Sequence, residues 1–121
     1  MIKVLIVEDS RVAQEFLVYV LTSDPAVQIV GIVNDGAEAL AKVLETHPDV
    51  ITMDIHMPKM DGFEATRAIM ALAPTARILI CSGTGYDDDI DAALQAGARG
   101  IIYKPFFEAE VMETISTLLT A

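Results

Sequence analysis

Five short, almost unbroken apolar runs recur along the chain: "KVLIV" from Lys3, "QIVGIV" from Gln28, "DVITM" from Asp49, "RILIC" from Arg77 and "GIIY" from Gly100. Runs of this kind, rich in Ile and Val and without polar alternation, suit parallel strands covered on both faces. Helical patterns fill the gaps between them. Val12, Phe16, Leu17, Val20 and Leu21 are expected to share one face of a first helix, and Ala37, Leu40, Ala41 and Leu44 one face of a second. Phe63, Thr66, Ile69 and Met70 do so in a third, Ile90, Ala93 and Leu94 in a fourth, and Val111, Ile115, Leu118 and Leu119 in a fifth. Local punctuation agrees: Asp35 followed by Glu38 predicts a capping box at the second helix, and Gly97 a left-handed cap closing the fourth. Strict strand-helix alternation predicts an α/β fold, a doubly wound five-stranded parallel sheet with five helices on its two faces; the order expected is 2-1-3-4-5, a common one for such sheets, in which strands one and three flank the reversal. One domain is expected to fill residues 1–121.

Composition narrows the function classes. With 53% hydrophobic residues in 121, the chain can bury a core without disulfides or structural metals. Its one cysteine, Cys81, lies inside an apolar run, so it reads as a buried residue in a reducing, cytoplasmic setting. The apolar stretch in "MIKVLIVEDS" is too short for a secretory signal, and nothing approaches a membrane span. A net charge of -10 repels nucleic acid and anionic lipid, so direct contact with either is not expected.

In open parallel sheets the working site lies beyond the carboxyl ends of the strands, where strand order reverses. The first strand delivers Glu8 and Asp9 to that edge, the third Asp54, the fourth Ser82 and Gly83, and the fifth Lys104 and Pro105. Singly, each has a plainer role. Asp9 or Ser10 could cap the first helix, Asp54 could start a turn before Pro58, and Lys104 could be a solvated surface lysine. Together they put three carboxylates, a hydroxyl and an ammonium at one crevice.

Clustered carboxylates repel one another unless a cation compensates, and oxygen-only ligands with room for water suit Mg²⁺. Expected ligands are Asp9 and Asp54 directly, Glu8 directly or through water, and a backbone carbonyl just past Asp54, at His56. The turn "VEDSRVA" lacks the glycines of a nucleotide-phosphate loop and carries acids instead, which argues against flavin or dinucleotide binding. A carboxylate can attack phosphorus, and Asp54, central in the crevice, is the better nucleophile, with Lys104 and Ser82 stabilising the phosphoryl oxygens.

The acidic pair Glu8-Asp9, "MDIHMPKMDG" around Asp54, Ser82-Gly83 and "YKPF" with Lys104-Pro105 together resemble a response-regulator receiver domain of the chemotaxis, CheY-like type, with a flavodoxin-like fold. The resemblance covers essentially the whole chain. It implies phosphorylation of Asp54 by a histidine kinase or phosphotransfer protein, Mg²⁺ dependence, and a change of surface read by a downstream effector protein. In such receivers the hydroxyl matching Ser82 moves toward the phosphoryl group and an aromatic of the fifth strand turns inward. Here the usual aromatic position is Ile101; strand alternation sends Tyr103 to the same face, where it could partly substitute or simply pack with its hydroxyl at the rim.

Other residues have plainer readings. His56 could tune attack of water on the phosphoryl group, His47 is expected at an exposed helix end, and Met53, Met57, Met60 and Met70 are expected to pack. "YDDDID" places acids at the start of the fourth helix, where they stabilise it. Three function classes follow: a stand-alone receiver, a monomer or weak dimer; the receiver half of a longer DNA-binding regulator or chemotaxis methylesterase; or a Mg²⁺-dependent phosphatase. The last is disfavoured because Arg11, rather than an acid, stands two residues after Asp9.

Overall fold

All five apolar runs form strands, and a helix follows each: β1 (Ile2–Val7), α1 (Arg11–Leu21), β2 (Val27–Val33), α2 (Gly36–Thr46), β3 (Val50–Asp54), α3 (Gly62–Leu72), β4 (Arg77–Ser82), α4 (Asp87–Ala96), β5 (Gly100–Tyr103) and α5 (Glu108–Thr120). The computed structural model describes residues 1–55, 57, 60–82, 87–104 and 108–120, with the backbone alone for 87–90 and 120. Expectations placed on His56, Pro58, Gly83, Tyr86, the side chain of Ile90 and Pro105 lie outside the described residues.

The strands pair in parallel throughout, in the order β2-β1-β3-β4-β5, so strand order reverses between β1 and β3. Alternation along each strand sends side chains to two apolar layers. Leu5, Val7, Ile51, Met53, Ile78 and Ile80 meet Ala39 and Val43 of α2, Ala65 and Ile69 of α3, and Ala93 of α4. Val4, Ile6, Val50, Leu79, Cys81 and Ile102 meet Leu17, Val20 and Leu21 of α1 and Val111, Ile115 and Leu118 of α5. The helices thus divide two and three between the faces, as double winding requires. Met57, Met60 and Met70 pack against the first layer, where Met53 is buried, as the sequence predicts.

Three helix faces differ from the sequence expectation. In α2 the buried residues are Gly36, Ala39 and Val43, while Leu44 is 53% exposed and Ala37 and Ala41 face solvent. That helix carries apolar side chains nearly all round, and close approach selects the stripe with the smallest ones. A Cβ on Gly36 would sit 2.8 Å from Met60 Sδ. Val12 is 78% exposed because the first turn of α1 has no buried residue, its buried stripe beginning at Leu17 with Phe16 half-buried. In α4, Ala93 and Ala96 are buried and Leu94 is exposed.

Caps behave as their chemistry dictates, with one change of partner. Ser10 Oγ accepts from the Ala13 N–H at 3.3 Å and caps α1, which leaves Asp9 free of that duty. Asp35 Oδ1 accepts from the Glu38 N–H at 2.9 Å, but Glu38 returns its carboxylate to the N–H of Asn34 at 3.3 Å, one residue short of a true capping box. His47 ends α2 in the left-handed region at φ 48° and is exposed. Gly97 follows α4 at φ 108°, where an L side chain is strained.

The α2 register is directly testable. Val43→Ala removes buried methyl groups and should cost about 2 kcal/mol in urea unfolding. Leu44→Ala should change stability by no more than about 0.5 kcal/mol; equal losses would mean that α2 presents the other stripe.

Candidate functional site

Parallel pairing brings every strand's carboxyl end to one edge of the sheet, so residues just past the strands meet there. Glu8 and Asp9 follow β1, Asp54 closes β3, Ser82 closes β4 and Lys104 follows β5. One carboxylate oxygen from each of Glu8, Asp9 and Asp54 lies within 4.8 Å of the others. Lys104 Nζ sits 2.7 Å from Glu8 Oε1 and 3.5 Å from Asp54 Oδ1. The Lys104 N–H donates to the Ser82 carbonyl at 2.7 Å, which ties the root of the lysine to the end of β4. Glu8, Asp54 and Ser82 are buried, whereas Asp9 is exposed at the mouth.

Local structure sets each of these positions. The Glu8 N–H donates to the Val33 carbonyl at 3.0 Å, extending the β1–β2 ladder by one residue, and Glu8 Oε2 accepts from the Ser10 N–H at 3.1 Å. Glu8 Oε1 is fully buried and makes a close ionic contact with Lys104 without a well-directed hydrogen bond. Gln14, in the first turns of α1, donates from Nε2 to the Glu8 carbonyl at 2.5 Å and to Asn34 Oδ1 at 2.8 Å. On the far side, Asp61 caps α3, and the Gly62 N–H donates to the Ile55 carbonyl at 2.8 Å. A Cβ on Gly62 would overlap the Asp54 carbonyl oxygen and come within 2.8 Å of Ile55 Cα. Only glycine lets α3 begin so close to the end of β3.

Burial pushes the Asp54 carboxyl from its ordinary value up to about 7, and the neighbouring Glu8 adds to the rise while Lys104 opposes it. For Lys104, burial works against the charge, yet the facing Glu8 and Asp54 carboxylates outweigh it and the ammonium is held more firmly than in water. Cys81, paired across from Asp54 in the β3–β4 register, is raised by burial and stays a thiol. Among the described residues this crevice is therefore short of positive charge: three acids face one ammonium.

The sequence named Glu8, Asp9, Asp54, Ser82 and Lys104, and the fold brings all five to this edge. Ile101 is half-buried and packs against the α2/α3/α4 layer, and Tyr103, half-buried, pairs in register with Ser82. The expected His56 carbonyl lies outside the described residues. Gly62 and Gln14 went unremarked in the sequence. The "DG" opening α3 could have pointed to Gly62, whereas a glutamine in a helix carries no such signal.

The family model of the response regulator receiver domain matches residues 4–116. The chain belongs to that family. This receiver is 47% identical over 112 residues to a protein-glutamate methylesterase/protein-glutamine glutaminase of Syntrophus aciditrophicus, covering 90% of the chain but 32% of that protein. It thus spans about a third of the length of that relative. It is 37% identical to the chemotaxis protein CheY of Thermotoga maritima, with 94% of each covered. A crystal structure of a CheX–CheY–BeF3–Mg²⁺ complex from Borrelia burgdorferi superposes with a TM-score of 0.92 at 33% identity, covering 97% of this chain and 88% of that one. No helix among the described residues is long and apolar enough to cross a membrane.

The raised Asp54 value carries a sign. Between about 4 and 7 the folded receiver holds a proton that the unfolded chain has released, so stability falls as pH rises through that window. In metal-free buffer Asp54→Asn should be more stable than the parent at pH 8, by an amount on the order of a few kcal/mol that vanishes near pH 4. Urea unfolding at both pH values checks this; a gain independent of pH would mean Asp54 is not the group that titrates.

Proposed function

We propose that this receiver accepts a phosphoryl group on Asp54 from a histidine kinase or phosphotransfer protein, in a Mg²⁺-dependent reaction, and passes the signal to an effector protein. The observation that carries the reading is the meeting of Glu8, Asp9 and Asp54 oxygens within 4.8 Å, beside the Lys104 ammonium. All-oxygen donors and, among the described residues, a deficit of positive charge fit a small hard divalent ion. Asp9 and Asp54 would hold it directly, Glu8 directly or through water, and the His56 carbonyl would complete the protein ligands. When bound, Mg²⁺ supplies charge that offsets the phosphoryl oxygens and keeps Asp54 ionised.

An Asp54 oxygen forms the new P–O bond while the donor's P–N bond breaks, and the departing imidazole nitrogen keeps the electron pair and takes up a proton. Lys104 neutralises the equatorial oxygens from the opposite side, and the Ser82 hydroxyl donates to one of them. The likeness to CheY and to methylesterase receivers supports a chemotaxis pathway. Identity to the methylesterase relative, higher than to CheY, favours a receiver that regulates such an enzyme over a stand-alone one. A free-substrate phosphatase is disfavoured by Arg11, which occupies the place of the second acid such enzymes use.

Incubation with MgCl₂ and acetyl phosphate should add one phosphoryl group by intact-mass measurement. Asp54→Asn and chelation of the metal should each abolish it; labelling that persists in Asp54→Asn would move the acceptor elsewhere. For the readout, Ser82, Ile101 and Tyr103 form the switch, Tyr103 standing in for the inward-turning aromatic. Tyr103→Phe should then weaken effector binding severalfold with phosphorylation unchanged, and an unaltered affinity in a pull-down titration would remove Tyr103 from the switch.

A further inference from the structure

The last turn of β1 chemistry is held from outside the site. Glu8 and Asp9 share one peptide plane, so whatever fixes the Glu8 carbonyl also fixes the direction in which the chain enters Asp9. That carbonyl lies beyond the β1 ladder and is gripped by Gln14 Nε2 at 2.5 Å. The same nitrogen donates its second hydrogen to Asn34 Oδ1 at 2.8 Å. Asn34 is anchored in turn, its N–H donating to Glu38 Oε2 at 3.3 Å in the first turn of α2. The orientation of the glutamine amide is forced, because a backbone carbonyl only accepts and the nitrogen alone can serve it. Side chains on a helix lean toward its N-terminus, which is why a residue in the second turn of α1 reaches back over the β1–α1 turn.

We infer that Gln14 is a positioning residue for the divalent-cation site: it straps the Glu8–Asp9 peptide to Asn34 and so to α2, holding the Asp9 carboxylate ready opposite Asp54. Asp9 needs such help because it is exposed and is the one acid of the three without burial to fix it. The strap makes the loop after β2 part of the metal site without giving that loop a ligand. This inference rests on the proposed Mg²⁺ site, and the experiment separates the two.

Isothermal titration calorimetry with MgCl₂ alone as the probe would be run on the parent chain, Gln14→Met, Asn34→Ala and the double variant. Methionine keeps the bulk of glutamine and removes the donor. The expected result is a Kd for Mg²⁺ raised about threefold to tenfold in Gln14→Met, the worth of a net hydrogen bond. A smaller rise is expected in Asn34→Ala and none beyond Gln14→Met in the double variant, because Asn34 acts through Gln14. Saturating Mg²⁺ should restore the parent rate of labelling by acetyl phosphate, a recovery that a general loss of folding would not give. An unchanged Kd in folded Gln14→Met, additive losses in the double variant, or a rate that stays low at saturating Mg²⁺ would each overturn the inference. Should Gln14→Met not fold, an unchanged Kd in Asn34→Ala overturns it instead. Absence of any binding heat in the parent chain would sink the proposed site, and the strap's role with it.

Discussion

Glu8 is 1% exposed, and the group that offsets its buried charge, the Lys104 ammonium, comes from the far side of the sheet at 2.7 Å. In the order β2-β1-β3-β4-β5, the strands carrying these two residues are separated by β3 and β4. The ion pair therefore arches over the ends of two strands, and Asp54 lies beneath the arch at 3.5 Å from the same ammonium. A buried carboxylate without a partner costs several kcal/mol, so the pair constrains where β1 and β5 can end relative to each other. Everything else at the edge is arranged around it: the Lys104 N–H on the Ser82 carbonyl, Glu8 Oε2 on the Ser10 N–H, and α3 starting against the Asp54 backbone through Gly62.

The arch also explains why this edge is costly to the fold. One ammonium cannot serve two buried carboxylates and a third at the mouth equally, and its nearer contact goes to Glu8. Asp54 is left with the weaker share, and burial raises its carboxyl toward neutrality. Carboxyl groups raised in this way by burial beside other acids cluster at functional sites. Two dense aliphatic layers, one on each face of the sheet, supply the stability that such an edge consumes.

The strands and their common edge were legible because they depend on local signals that tertiary packing cannot easily reverse. Runs such as "KVLIV" and "RILIC" are apolar on both parities, which only a sheet buried on both faces can use. Once the sheet is parallel, Glu8, Asp9, Asp54, Ser82 and Lys104 must share an edge whatever the helices do. Helix faces were less legible for the opposite reason. In α2, Leu40 belongs equally to the stripe through Ala39 and Val43 and to the one through Ala41 and Leu44, so periodicity offers two answers. The choice falls to how near the helix can come to the sheet and to Met60, a contact distant in sequence. Val12 departs from its helical pattern because periodicity does not register that the first turn of α1 offers no core to pack on.

Gln14 and Gly62 illustrate what lies between those cases. Both act on the backbone of site residues, Gln14 on the Glu8 carbonyl and Gly62 on that of Asp54, and neither brings chemistry that a pattern of acids and cations would reveal. The strand ends deliver the reactive groups, but strands stop short of fixing the peptide planes that follow them. Those planes are set by what the next helices press against or reach back to. Chemistry at such an edge is thus written in the residues that close the strands, and its precision in residues one or two helical turns further on.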